Sequence, residues 1–327
     1  MSKGEFNQYV VSQFFRFILV RMGTTMRRSR LKQFGGISDG LTIGAIYIFL
    51  ICILLIILLP VMNIVSSAFS SPSAIVRGRV NLLPVEFTLL GFRAALTHSL
   101  IVSGFMNSII YTVLGTLMNL SLTLCVAYPL SRDDLVGKRI IIAFFTITMF
   151  ISGGIVPTFL LMNSLGLLDT RAAMIVPAGV SVFNMIIART FMRTSIPKDL
   201  LGAAEIDGCS DFGIFIKIVL PLSKPLIAVL TLLFAVGHWN AFFGGLMFLR
   251  NSDLFPLQLV LRQILILNQI DITQMDVTLL RDLWDRQYFA ELIQYSSIVI
   301  STVPIMILYP FIQKYFIKGV MLGSIKG

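Results

Sequence analysis

Long apolar runs alternate with shorter polar ones along most of the chain, and their lengths decide what they are. The runs 41–66, 105–128, 140–162, 172–191, 226–249 and 289–316 are each long enough, as helices rising about 1.5 Å per residue, to cross a hydrocarbon layer about 30 Å thick. The pattern predicts an all-α membrane protein with about six transmembrane helices. The first is expected to end at Pro60, facing outside, and the second to be closed by Pro129. Internal breakers interrupt several runs: Gly153, Gly154 and Pro157 in the third, Pro177 in the fourth, Pro304 and Pro310 in the sixth. Such residues persist in spans where neighbouring helices or water re-satisfy the freed backbone groups. In the fifth run His238, Trp239 and Asn240 fall near mid-depth, followed by Phe242 and Phe243, a polar and aromatic interruption of aliphatic sequence.

The segments between the runs differ in character. Residues 67–104 form a more polar external stretch, and 163–171 a short external turn. Residues 250–288 form a long external loop of balanced charge, from Asp253 and Arg262 to Asp285 and Arg286, and a loop of that length is usually functional. Residues 195–225 are amphipathic. Pro197 suits the first turn of a short helix and Gly208 its left-handed end, which predicts about three turns. Ala203 and Ala204 are small enough to let another surface approach the backbone, while Lys198, Glu205 and Asp207 supply charge around the rim. A second run, Phe212, Phe215, Ile216 and Val219, has helical spacing and stops at Leu220-Pro221, with Pro225 just beyond. Two short helices at an angle, forming a docking knob at the membrane surface, are the expectation.

Composition agrees with the spans. A chain of 327 residues with 56% hydrophobic and 13% charged residues, and a mean hydropathy of +0.89, is too apolar for an ordinary soluble domain. The net charge of +10 encodes topology rather than nucleic-acid binding, because every lysine lies in a segment assigned to the cytoplasm: Lys3, Lys32, Lys138, Lys198, Lys217, Lys224, Lys314, Lys318 and Lys326. Both termini are therefore expected inside. Residues 1–40 form a basic cytoplasmic or interfacial segment, either an amphipathic helix over 9–20 with the following arginines on anionic head groups, or a loose tail. The cluster follows the apolar run, which disfavours a signal peptide. Cys52, Cys125 and Cys209 have no disulfide or metal-ligand spacing, and His98 and His238 are too few for most metal sites. No catalytic constellation and no phosphate-binding G-x-x-x-x-G-K-[ST] loop occurs, which argues against an enzyme. A secondary transporter would need carboxylates in the spans, and these hold almost none.

The motif GAAEIDG, from Gly202 to Gly208, followed by IVLP ending at Pro221, resembles the cytoplasmic EAA loop of binding-protein-dependent ABC importer permeases. Ala203, Ala204, Asp207, Gly208, Leu220 and Pro221 match that pattern position by position. Gly202 replaces the family's first acidic residue, and Glu205, three positions on, is a candidate to supply the missing carboxylate. Further stretches resemble carbohydrate-uptake class 1 permeases of the LplC/YtcP type: NSIIYTVLGT from Asn107, AYPLSR from Ala127, MFISGGIVPTF from Met149, GLLDT from Gly166, FN at Phe183, WNAFF from Trp239, and YPFIQKYFIKGVMLGSIKG from Tyr309. The basic first forty residues are longer than such permeases usually have.

The resemblance implies a MalG-like subunit with the type I importer fold in a bacterial cell membrane. It implies a second homologous permease, two cytoplasmic ATPase subunits that hold ATP and magnesium, and an extracellular lipid-anchored solute-binding protein. No cofactor is expected on this chain, and its contacts are with lipid and an oligosaccharide. Residues 198–221 would be the coupling helix region that docks into the ATPase, and 250–288 the surface that probes the binding protein. His238, Trp239, Asn240, Phe242 and Phe243 would then line a sugar path, aromatic faces stacking on pyranose rings and amides bonding hydroxyls, or else serve helix packing. A secondary sugar transporter, or an ABC permease for another solute, is the alternative.

Overall fold

The computed structural model describes residues 37–151, 153–267, 291–307 and 310. The expectations for residues 1–36, for 268–290 and for the end of the chain lie outside them. The chain divides into two units, Met1–Val61 and Met62–Gly327. The described part of the first is helix α1 (Ile37–Ala68), which runs on into the second. From Ile43 to Val61 its large side chains are almost all exposed, the surface that acyl chains would solvate. Pro60 does not end this helix but lies within it. A missing N–H and a displaced carbonyl one turn back are tolerated in a span more readily than in water.

In the second unit the last turns of α1 are polar and fasten the chain that follows. Asn63 Nδ2 donates to the Val80 and Asn81 carbonyls at 3.2 and 3.1 Å, and Ser66 Oγ to the Leu82 carbonyl at 2.8 Å. The external stretch predicted over 67–104 contains two short helices, α2 (Pro72–Val76), capped by Ser71, and α3 (Leu90–Thr97).

The centre of the unit is α4 (Ser99–Ser131), 33 residues long. It starts before the predicted boundary and passes through Pro129 rather than stopping there. The middle of its buried face is rich in small and polar residues, Gly104, Asn107, Ser108, Gly115, Thr116, Asn119 and Thr123, the composition that lets helices approach closely and hydrogen-bond within a membrane. Against this face lie α8 (Val182–Ser195), α11 (Lys224–Trp239) and α13 (Leu257–Leu267). At Gly104 a Cβ would stand only 3.2 Å from the Leu257 Cα. Ser108 Oγ accepts from the Leu257 N–H at 2.8 Å, Asn107 Nδ2 donates to the Asp253 and Phe255 carbonyls at 2.6 and 3.2 Å, and the Tyr111 hydroxyl donates to Leu254 O at 2.7 Å.

The other predicted spans are interrupted. The third is α5 (Lys138–Phe150) and α6 (Ile155–Ser164), bent by 113° at the Gly153-Gly154 break, with Pro157 inside the first turn of α6. The fourth is split around Pro177 into α7 (Ala172–Ile175), a 3-10 turn over Val176–Ala178, and α8, whose first turn is capped by Ser181. The fifth divides at Asn240-Ala241 into α11 and α12 (Phe242–Phe248). Within 250–288, residues 257–267 form the apolar helix α13 rather than a charged loop, with Leu257, Leu259 and Val260 buried. The described part of the sixth is α14 (Glu291–Ile307). Among the described residues two helices, α1 and α4, are long and apolar enough to span a membrane, or up to four spans if each bent pair counts as one, so six are not resolved.

Two large apolar clusters and a small one around Met162, Ala173 and Phe248 are buried among the described residues. One, at the Ser99 end of α4, gathers Ile101, Tyr111, Met174, Trp239, Leu257 and Val260. The other, at the Ser131 end, gathers Leu124, Tyr128, Met185, Met192, Phe215, Val219 and Leu230.

Candidate functional site

The cluster at the Ser131 end seats a helical hairpin. Its first arm is α9 (Lys198–Ile206), whose N-cap is Pro197 (φ −62°, ψ 131°), one position before the helical turn predicted for it. Asp199 lies in the first turn, where a negative charge complements the helix dipole. The end is closed by two backbone bonds, Cys209 N–H to Ala204 O at 2.9 Å and Gly208 N–H to Glu205 O at 3.0 Å, around Gly208 at φ +75°. That is the Schellman pattern, which requires the left-handed residue predicted at 208. The two alanines take different roles: Ala204 is buried in the apolar cluster, whereas Ala203 is exposed. Ile206, 88% exposed, and Asp207 continue the outward surface. At Gly202 an added Cβ would meet nothing within 4 Å, so lack of room does not explain the glycine there.

The second arm, α10 (Asp211–Leu222), is capped by Ser210 Oγ, which accepts from Gly213 N–H at 3.2 Å. Ile214, Phe215 and Val219 turn into the cluster, and Phe215 stacks on Tyr128 with centroids 5.0 Å apart. Over Phe215–Val219 the helix widens to π geometry before Pro221, which is carried inside the helix rather than ending it. The wider turn accommodates a residue that has no N–H to donate and a ring that crowds the preceding carbonyl. At Ser223 the chain turns by 81° into α11.

Glu205 is tied within the chain. Its carboxylate accepts from Arg132 Nη2 at 2.6 Å, across 73 residues of sequence. Arg132, 14% exposed, also grips Asp134 through Nε at 3.0 Å and Nη2 at 2.9 Å. The Asp134 bond, with that of Glu205, outweighs burial and pushes the guanidinium pKa up. Asp133 is held well below the usual carboxylate range, chiefly by Lys198 and then by Lys138.

A cavity of about 470 Å³ lies beside α4, between the broken α7–α8 connection and α11–α12. Polar groups on its wall are Asn119, Ser181, Asn184 and His238, over an apolar lining that includes Met174, Leu233, Phe234 and Phe248. His238 is buried, hydrogen-bonds the Gly115 backbone, and places Nε2 3.4 Å from Asn119 Oδ1. A Cβ at Gly115 would overlap its ring. The Asn184 side chain makes no hydrogen bond among the described residues.

Of the residues predicted for a path, only His238 is on this wall. Trp239 points into the other cluster, donating to Ser301 O at 3.0 Å and meeting Phe105 edge-on at 5.7 Å. Asn240 bonds Val236 O at 2.9 Å, and Phe242 lies under the Arg262 guanidinium at 5.9 Å, with Phe243 edge-on to it at 6.4 Å. Asn119, Ser181 and Asn184 were missed. A proline-broken run followed by Ser and Asn was the signal for the last two. Asp169, inside the quoted GLLDT stretch, sits at φ 57° and accepts from the Arg250 and Asn251 N–H groups at 2.9 and 2.8 Å, which lowers its pKa. Among the described residues no group of three or more His, Cys, Asp and Glu stands together as a metal site.

A compact hairpin at one end of the 33-residue helix α4 and a polar-walled cavity further along the same helix suit a transport permease. Residues 88–322 match the binding-protein-dependent transport system inner membrane component, and the chain belongs to that family. It is 39% identical over 285 residues to the polygalacturonan/rhamnogalacturonan transport system permease protein YtcP of Bacillus subtilis, covering 86% of this chain and 97% of that one. Protein LplC of the same organism is 39% identical, with 83% and 90% covered. The arabinooligosaccharides transport system permease protein AraQ of Halalkalibacterium halodurans is 31% identical, with 88% and 96% covered. Among solved structures, a bacterial ABC transporter involved in the import of the acidic polysaccharide alginate superposes with a TM-score of 0.78 at 33% identity, covering 86% of this chain and 99% of that one. The architecture is that of an ABC importer permease, and such subunits are not themselves enzymes.

Proposed function

We propose that this chain is one of two permease subunits in an ATP-driven importer of oligosaccharides or polysaccharide fragments. Its near relatives are named for polygalacturonan, rhamnogalacturonan and arabinooligosaccharides, and its structural neighbour for alginate, which supports a sugar cargo. The complete subunit crosses the cell membrane about six times with both termini in the cytoplasm. It works with a second permease, two ATPase subunits carrying ATP and magnesium, and an extracellular solute-binding protein. The hairpin 198–222 docks on an ATPase through Gly202, Ala203, Asp207 and Gly208, with Ala204 as its internal anchor and Glu205 at the rim. ATP-driven closure moves the hairpin, rocks the spans, and exposes the cavity to each side in turn. In that cavity Asn119, Ser181, Asn184 and His238 offer hydrogen-bonding groups to sugar hydroxyls, over an apolar floor.

The observation that carries the reading is the division of the docking helix, with Ala204 buried in the subunit while Ala203 faces out on a surface with no bulky side chain at 202. The test is ATP hydrolysis by the reconstituted complex, with binding protein loaded with candidate oligosaccharides, for wild type and Ala203→Asp. Stimulation by one loaded binding protein, lost in Ala203→Asp, is the expected result. Full stimulation of the variant would remove the docking assignment, and no response to any sugar would remove the substrate class.

A further inference from the structure

The connection between α4 and α5, residues 132–137, opens on three charged residues, Arg132-Asp133-Asp134, and two of them reach the docking helix. Arg132 bonds Glu205 in its last turn, and Asp133 bonds Lys198 at its first residue. Lys198 and Glu205 are seven positions apart, so they lie on one face of α9, roughly 10 Å from each other along its axis. Adjacent charges of opposite sign on the connection therefore meet opposite charges at the two ends of one helix. A slide of α9 toward the other pairing would set Arg132 against Lys198 and Asp133 against Glu205, like against like.

The connection is itself braced. Lys138, the first residue of α5, donates to the Arg132 carbonyl at 2.7 Å and to Asp133 at 3.0 Å. Arg193, in the last turn of α8, stands 3.5 Å from Asp133, and Arg189 Nε donates to the Leu130 carbonyl at 2.9 Å. Asp211, opening α10, faces Arg132 at 3.7 Å. The same short connection is thus in contact with the ends of α4, α5, α8, α9 and α10. A single exposed ion pair contributes little, but a braced network around one largely buried guanidinium fixes geometry.

We propose that Arg132 and Asp133 are positioning residues for coupling: they hold the docking helix at both ends and pass its displacement into α4. Because α4 carries α8, α11 and α13 on its sides, a pull at Arg132 reaches the cavity walls without passing through the hairpin's apolar seat. This rests on the docking reading above and reassigns Glu205 from a contact with the ATPase to a contact within the chain.

The test uses the complete importer in proteoliposomes and reads three quantities: ATPase association, basal hydrolysis, and the stimulation of hydrolysis and uptake by loaded binding protein. Asp133→Asn is expected to retain association and basal hydrolysis while losing stimulated uptake by about tenfold, and Asp133→Glu to restore most of it. A double-mutant cycle then compares Arg132→Gln, Glu205→Gln and their combination. If Glu205 acts through Arg132, the double variant loses no more than the worse single one. Additive losses, or loss of ATPase association in Glu205→Gln alone, would return Glu205 to the ATPase and overturn the proposal, as would normal coupling in Asp133→Asn. Ala203→Asp run in parallel separates the two readings. If it uncouples while the Asp133 variants do not, only the positioning role fails. If it does not uncouple, the docking reading itself is wrong.

Discussion

Two glycines six positions apart in the docking helix are predicted to respond oppositely to the same substitution. Gly208 holds φ +75°, where a Cβ meets its own backbone, so Gly208→Ala is expected to destabilise by about 1–2 kcal/mol. Gly202 is helical with open space around it, so Gly202→Ala is expected to stabilise by up to about 1 kcal/mol. Thermal unfolding of the solubilised subunit reads both, and a matching sign in the two variants would contradict the assigned geometry. Asp133 supplies a pH prediction. Its pKa is depressed in the folded chain, so its contribution is fully present above the unfolded carboxylate value of about 3.9 and is lost only as the pH falls through the lower folded value. Coupling should therefore show no carboxylate titration between pH 5 and 8, and a midpoint in that window removed by Asp133→Asn would contradict it. Gly208 was legible because helix ends need a left-handed residue whatever surrounds them. The Arg132–Glu205 bond was not, because nothing local relates residues 73 positions apart.

Among the elements, the breaks at Gly153-Gly154 and around Pro177 were readable from composition, since both residue types interrupt a helix on their own account. The 81° turn at Ser223 and the helix α13 were not. Charges further along 250–288 masked the eleven-residue run LQLVLRQILIL, whose register is set by partners on α4 rather than by its own ends. Asn107 is the chief of these partners, since it serves two carbonyls in the turn that leads into α13. Asn107→Ala orphans both, and a buried acceptor left unpaired costs about 1–3 kcal/mol. The expected outcome is a lower thermal midpoint and earlier proteolysis at 251–257. Ser108→Ala, which removes a single bond to Leu257 N–H, should give a smaller shift in the same direction. If neither variant shifted the midpoint, close packing at Gly104 would be what seats α13, and the hydrogen bonds would add nothing measurable.

For the whole molecule the informative length is that of α4. Its 33 residues extend roughly 50 Å, against a hydrocarbon layer of about 30 Å, and in the proposed topology its two ends stand in opposite aqueous phases. Whatever side holds 90–98 therefore does not hold 132–138, and the docking hairpin, bonded to Arg132, lies with the latter. Basic residues decide which side that is. Lys138, Lys198, Lys217 and Lys224 all gather at the Ser131 end with Arg132, Arg139, Arg189 and Arg193, against Arg77, Arg79, Arg93, Arg171, Arg250 and Arg262 toward the Ser99 end, and the proposed orientation puts the lysine-bearing end in the cytoplasm. In a background with Cys52, Cys125 and Cys209 replaced, a cysteine at Glu86 should react with a membrane-impermeant maleimide in intact cells. Cysteines at Val136, 92% exposed, and at Ile206, 88% exposed, should react only after the cells are opened. Labelling of all three from outside would mean that α4 does not cross the membrane. Labelling of Val136 and Ile206 alone would invert the subunit and put the hairpin out of reach of any ATP-driven partner.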